Sequence, residues 1–87
     1  MPNNATGNGL WQKMVKKVGS KGSLIVQREE SAINIRMAAI LLGYKSSRRK
    51  QPNGSYRAWI FTKEITKDIM DKHIKRGKGK ILVVPGV

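Results

Sequence analysis

The side chains best placed for chemistry in this chain are cations. Lys45-Ser46-Ser47-Arg48-Arg49-Lys50 forms a basic run that leads into Pro52-Asn53-Gly54 and then into Tyr56-Arg57-Ala58-Trp59-Ile60-Phe61. Asn-Gly between two extended segments is a strong hairpin signal, because a type I′ turn needs positive φ at both central residues. The run therefore reads as a charged arm folded back onto an aromatic strand that roots it in a core, with the arm standing in solvent as a finger. Arg48, Arg49, Lys50 and Arg57, with Lys45, suit phosphate contact, and Arg also suits bidentate contact with guanine. Ser46 and Ser47 add hydroxyl donors. The competing reading of the same residues is an edge ribbon kept soluble by charge.

Lys72, Lys75, Arg76, Lys78 and Lys80 form a second basic cluster. It suits an auxiliary phosphate contact, or else a solvated helix end whose cations complement the helix dipole. Glu64, Asp68 and Asp71 share one side of the same segment, as metal-binding carboxylates of a nuclease would. Asp68 with Lys72 and Asp71 with Lys75 are equally well explained as i,i+4 ion pairs. His73 is the single histidine and there is no cysteine. That leaves no His pair, thiolate site or nucleophile with a base beside it, and no phosphate-binding glycine loop is present. The expectation is a non-enzymatic protein with no catalytic residue, metal or cofactor.

The charge balance points to a partner. Eighteen Lys and Arg against five Asp and Glu give a net charge of +13. Residues 1–43 carry six basic and two acidic side chains, net +4; residues 44–87 carry twelve and three, net +9. An excess of this size repels itself, and a polyanion relieves it. Nucleic acid is the leading candidate, because phosphates neutralised by cations release condensed counterions. An anionic membrane would want a basic amphipathic helix with large apolar residues opposite. No apolar stretch approaches the roughly 20 residues of a span. MPNNATGNG reads as a flexible tail with no basic and apolar regions of a secretory signal. The expected setting is cytoplasmic, at the nucleoid.

Eighty-seven residues suit one small domain, here 10–87. Leu10, Trp11, Met14, Val15 and Val18 fall on one helical face that Gly19 ends. Ser23 to Gln27 reads as a strand, and Ser31 or Ala32 to Leu42 as a helix. In that helix Ile33, Met37, Ile40 and Leu41 form one stripe, with Ile35, Ala39 and Leu42 elsewhere on the cylinder. A helix apolar nearly all round is buried on more than one side, by the first helix or by a second subunit in a homodimer. Thr62 is the expected N-cap of a last helix, Lys63 to about Arg76, with Ile65, Ile69, Met70, His73 and Ile74 on its apolar side. Ile81 to Val84 reads as a final strand. In the central strand, Tyr56, Ala58 and Ile60 share one face, and Arg57, Trp59 and Phe61 the other. Trp59 and Phe61 are expected as core anchors, with stacking of Trp59 on a base as the rival role.

Ala39-Ile40-Leu41-Leu42-Gly43-Tyr44-Lys45-Ser46 has the form A-x-x-L-G-Y-x-S. With the hairpin and the Phe61-Thr62-Lys63 exit, residues 31–62 resemble winged helix-turn-helix DNA-binding domains of phage and plasmid replication and regulatory proteins. That resemblance implies an α+β winged helix with an extra C-terminal helix and strand, bound to DNA through its basic hairpin. The second helix of the motif would have to be Ser46 to Gln51, which has no apolar anchor, so it is very short or replaced by the wing strand. The same element order also fits a split β-α-β, ferredoxin-like sheet with an added N-terminal helix, which favours single strands or RNA. The functional expectations are a small DNA-binding regulatory or replication accessory protein, a protein-interaction module that inhibits an acidic host enzyme, or an RNA-binding protein of ribosomal type.

Overall fold

A computed structural model describes the backbone of residues 3–86 and the side chains of residues 9–86. It is a small α+β domain of three helices and a four-stranded mixed sheet. In chain order the elements are α1 (Asn3–Val18), β1 (Ser23–Val26), α2 (Glu29–Leu41), β2 (Tyr44–Lys50), β3 (Tyr56–Thr62), α3 (Lys67–Arg76) and β4 (Ile81–Val83). The first turns of α1 fall in the stretch read as a tail. Of that stretch, Met1 and Pro2 lie outside the described backbone and residues 3–8 outside the described side chains.

The sheet order is β2-β3-β1-β4. β3 is antiparallel to both β2 and β1, so β1, α2 and β2 form a parallel crossover with β3 inserted between its strands. β4 pairs with β1 in parallel. A second crossover of the same kind, as the split β-α-β alternative requires, would need β4 antiparallel to β1, so that topology is realised in its first half only. α2 passes through Leu42 and Gly43 directly into β2. Ser46 to Lys50, most of the stretch available to a second helix, is strand.

The alternation expected along β3 is present, and it sorts the core into two layers. Ala58 and Ile60 face α1 and α2, where they meet Val15, Val18, Leu24, Val26, Ala32, Ile35, Ala38 and Ala39. Trp59 and Phe61 face the other way, under Ile65, Met70 and Ile74 of the α3 segment. Both aromatics are fully buried, at 1% and 0% exposure, so they are core anchors and no base can stack on Trp59 from solvent.

The large stripe of α2 is turned the other way from the usual core face. The helix buries its small side, Ser31, Ala32, Ile35, Ala38 and Ala39. Ile33, Met37, Ile40 and Leu41 are 39–63% exposed. Its alanines let the helix lie close on the sheet, with Ile35 the one large side chain on that face. α2 also starts at Glu29, earlier than expected, since Glu29 and Glu30 in its first turn complement the dipole.

α3 starts later than expected. Its N-cap is Thr66, whose hydroxyl accepts from the Ile69 N–H at 3.3 Å, and not Thr62, which is the last residue of β3. Glu64 therefore precedes the helix. The hairpin turn also differs. Five residues, 51–55, connect β2 to β3. The Gly54 N–H donates to the Gln51 carbonyl at 2.9 Å, with Gly54 at φ +90° and Asn53 not at positive φ. Pro52 holds its φ near −65°, which suits the second position of a type I turn and not of type I′.

Gly79 joins the end of α3 to the start of the sheet. It sits at φ +115°, and a Cβ there would lie 2.5 Å from the Lys21 carbonyl oxygen. Gly79→Ala is expected to cost about 2 kcal/mol or more, from backbone strain plus the clash. Lys78→Ala beside it should stay within about 0.5 kcal/mol. Urea denaturation midpoints of the two variants measure the difference; equal midpoints would contradict this packing.

Candidate nucleic-acid interface

The basic run is strand β2, the outer edge of the sheet, and not a free finger. It pairs with β3 from Tyr44↔Thr62 to Lys50↔Tyr56, while β1 pairs with the other side of β3 at Tyr56 to Trp59. Only the turn at 51–55 extends past the sheet. The correction follows from β3 itself: a strand this apolar is flanked on both sides, so its partner is built into the sheet.

Strand alternation then divides the cations between two faces. Lys45, Ser47 and Arg49 lie opposite Phe61, Trp59 and Arg57, on the α3 side. Ser46, Arg48 and Lys50 lie opposite Ile60, Ala58 and Tyr56, on the α2 side. Lys45, Arg48, Arg49 and Lys50 are exposed. Arg48 pairs with Glu29 at 3.4 Å and Arg49 with Asp71 at 3.6 Å, all four partners exposed. Pairs of that kind contribute roughly 0–1 kcal/mol, so phosphate can displace them. The Lys45 ammonium reaches the Ile65 carbonyl at 3.5 Å. The two serines are less available than expected. The Ser47 hydroxyl accepts from Arg49 at 2.7 Å, and the Ser46 hydroxyl is buried with no partner among the described residues.

Arg57 is a strut. Its Nε donates to the Ser23 hydroxyl at 2.8 Å and its Nη2 to the Gly77 carbonyl at 3.3 Å. Its guanidinium carbon lies 4.0 Å from the centre of the Trp59 ring. Burial pulls its pKa below the usual arginine value. Arg49 sits directly across from it, a like-charge neighbour that would repel. Asp71 on one side and the Trp59 face on the other offset that repulsion.

The second cluster is split by α3. Asp71 turns to Arg49 on β2, and not to Lys75 as the i,i+4 spacing suggests. Lys72 and Arg76 turn the other way, toward the α1–β1 turn. With Lys21, Ile69 and His73 they line an open cleft of about 170 Å³. His73 is half-buried, its ring edge-on to Trp59 and Phe61, and its Nε2–H donates to the Lys21 carbonyl at 2.8 Å. Lys75 and Lys78 are exposed, and the Lys80 ammonium donates to the Lys17 carbonyl at 3.3 Å. Lys21 is the residue that spacing alone missed. It is 51 positions from Lys72 in the chain, and only the contact of its turn with α3 brings them together. Among the described residues no three His, Cys, Asp or Glu are grouped to hold a metal ion, and no helix is long and apolar enough to cross a membrane.

Comparison with protein-family models, with curated proteins and with solved structures finds no match for this chain. What the chain does therefore rests on the chemistry of its own surface.

Arg57→Ala is expected to lose about 1.5–3 kcal/mol of stability, because it removes charged hydrogen bonds that tie β3 to β1 and to the end of α3. Arg57→Lys should recover little, since an ammonium cannot fork between Ser23 and Gly77. Arg49→Ala should cost about 1 kcal/mol or less. Thermal or urea unfolding of the three variants tests this ranking, and an Arg49 effect as large as that of Arg57 would reverse the roles assigned.

Proposed function

We propose that this is a non-enzymatic nucleic-acid-binding protein, with DNA the favoured partner, of the small regulatory or replication-accessory kind found in phage and mobile elements and acting in the cytoplasm at the nucleoid. The observation that carries the proposal is the uncompensated charge. Of eighteen basic side chains, all within the described residues, two are ion-paired, and both pairs are exposed. The β2 edge docks on phosphates with cations from both of its faces, Lys45 and Arg49 on one and Arg48 and Lys50 on the other. Lys72, Lys75, Arg76, Lys78 and Lys80 extend the positive surface on the α3 side. Arg57 holds the sheet and helix in register beneath them.

A winged-helix ancestry is compatible with the order α1-β1-α2-β2-β3, and β2-β3 is then the wing. The recognition helix has no segment left to occupy between α2 and β2. Such a domain binds chiefly through backbone phosphates and groove shape, with little base readout. Binding should therefore depend steeply on salt and weakly on sequence. In a fluorescence-anisotropy salt titration, Arg48→Ala with Arg49→Ala is expected to reduce the log–log slope by about two, one for each guanidinium that no longer meets a phosphate. A slope unchanged by the double variant would sink the β2 interface. Competition among duplex DNA, single-stranded DNA and RNA separates the DNA reading from the ribosomal-type one.

The exposed stripe of α2 favours a second reading, a protein-interaction surface for a homodimer partner or an acidic host enzyme. Four large apolar side chains on one solvated helix face are more than scattered surface hydrophobics. If the stripe is a self-contact, sedimentation velocity should show a dimer that Met37→Lys with Leu41→Lys converts to monomer. A monomer that also captures no protein from nuclease-treated lysate would remove this reading.

A further inference from the structure

We propose that the cleft between α3 and the α1–β1 turn is a discrete phosphate-binding site, formed by Lys21, Lys72 and Arg76 around His73 and Ile69. It deepens the nucleic-acid reading by naming where one phosphate sits, and rests on that reading only for the source of the phosphate.

Three cations line one concavity, and none of them is paired with a carboxylate among the described residues. Lys72 and Arg76 are one turn apart on α3, a like-charge i,i+4 arrangement that weakens the helix slightly. The acids that would relieve it are directed elsewhere or stand apart. Asp71 pairs with Arg49, and Asp68 makes no ion pair among the described residues. Charges crowded in a recess without a counter-charge are a site for an anion, and a concave wall strengthens their joint field.

The Lys21 backbone is held at a cost. It is the one non-glycine residue with positive φ among the described residues, at +68°. A side chain in that region is strained by roughly 1–2 kcal/mol. Glycine occurs at 19 and 22 on either side, yet position 21 carries a cation. Its N–H donates to the Ile60 carbonyl at 2.6 Å, and its carbonyl accepts from His73. Sheet and helix thus clamp the turn that presents the ammonium. His73 in turn is fixed against Trp59 and Phe61, so the cleft wall is continuous with the second core. The recess is preorganised, and little ordering cost falls on binding.

The C-terminal end of α3 carries partial negative charge that disfavours an anion. That effect is offset where the Arg57 guanidinium donates to the Gly77 carbonyl. Ile69, half-exposed on the same wall, offers an apolar surface to the carbon side of a phosphate ester. At about 30 Å³ per water, the volume of the cleft amounts to five or six waters, room for one phosphate group with partial hydration.

The test is a two-dimensional amide NMR titration of the full chain with inorganic phosphate at constant pH and ionic strength. It is repeated with a short single-stranded oligonucleotide with and without a 5′-phosphate. Saturable shifts are expected at Lys21 and across Lys72 to Gly77. Lys72→Ala with Arg76→Ala should weaken phosphate binding at least about tenfold, the equivalent of one charge-assisted hydrogen bond, while Lys67→Ala, an exposed cation of α3 outside the cleft, leaves it unchanged. The spectra report whether each variant is folded. Shifts spread evenly over the basic surface, or an equal loss with Lys67→Ala, would mean a diffuse counterion cloud and overturn the site. Oligonucleotide binding that leaves the cleft amides unmoved overturns the site too, but leaves the β2 interface standing. Phosphate binding without oligonucleotide binding supports the cleft and counts against the nucleic-acid reading. A gain on adding the 5′-phosphate marks the cleft as a terminal-phosphate site; equal binding of both oligonucleotides, with cleft shifts, marks a backbone phosphate as its source.

Discussion

Strand β3 is buried on both faces, and the position of every other element follows from that constraint. Its Ala58 and Ile60 face α2, where they share a core with Ala32, Ala38 and Ala39. Its Trp59 and Phe61 need a thick cover, which Ile65, Met70 and Ile74 provide. A chain of 87 residues cannot fill a large single core, so two thin ones share a strand. Both edges of β3 are also occupied, by β2 and β1. The basic run is consequently fixed at the rim of the sheet, and α3 is pressed flat over the aromatics, with its two flanks facing opposite basic regions.

The electrostatics follow from this geometry. Net charge alone says that an anion is wanted, but not where. Position on the strand decides which cations share a face, and the lie of α3 decides which acids reach them. The two exposed ion pairs, at Arg48 and Arg49, orient side chains more than they neutralise them. Arg57 is different in kind. Its Nε and Nη2 hydrogens are committed to Ser23 and Gly77 and its face to Trp59, which leaves few free donors for an outside phosphate. A guanidinium in a basic motif is thus structural here, while Lys21, outside any motif, lines the recess.

Much of this was legible in the sequence wherever one residue pattern had one physical solution. The alternation of Tyr56 to Phe61 required a strand with an aromatic face, and the burial of Trp59 and Phe61 came with it. The expected helix ends at Leu42 and about Arg76 are kept by the structure to within a residue. The misreadings fall where two solutions were open. Thr62 and Thr66 both suit an N-cap, and the choice depends on how far β3 pairs with Tyr44. Asn53-Gly54 suits a two-residue turn until Pro52 forbids it. The stripes of α2 could not be ranked by hydrophobicity, because the sheet selects for small residues at close approach and leaves Ile33, Met37, Ile40 and Leu41 outside. The cleft was illegible, since it depends on a contact between residues 21 and 73 that no local pattern encodes.

The two unsatisfied surfaces lie on opposite sides of the sheet, and that separation bears on how they work together. α2 covers one face and carries the apolar stripe outward; α3 covers the other and carries the cleft. Occupying one therefore does not block the other. A second copy seated on α2 would hold two clefts facing away from each other, with the α3 cations kept apart. The exceptions are Arg48 and Lys50, which sit on the α2 side of the rim. Repulsion across such a contact would come mainly from them and from Arg28 and Arg36. The negative charge of a bound polyanion would relieve it. If this chain both self-associates through α2 and binds a polyanion, the two would be coupled through charge, each lowering the electrostatic cost of the other without any change of shape.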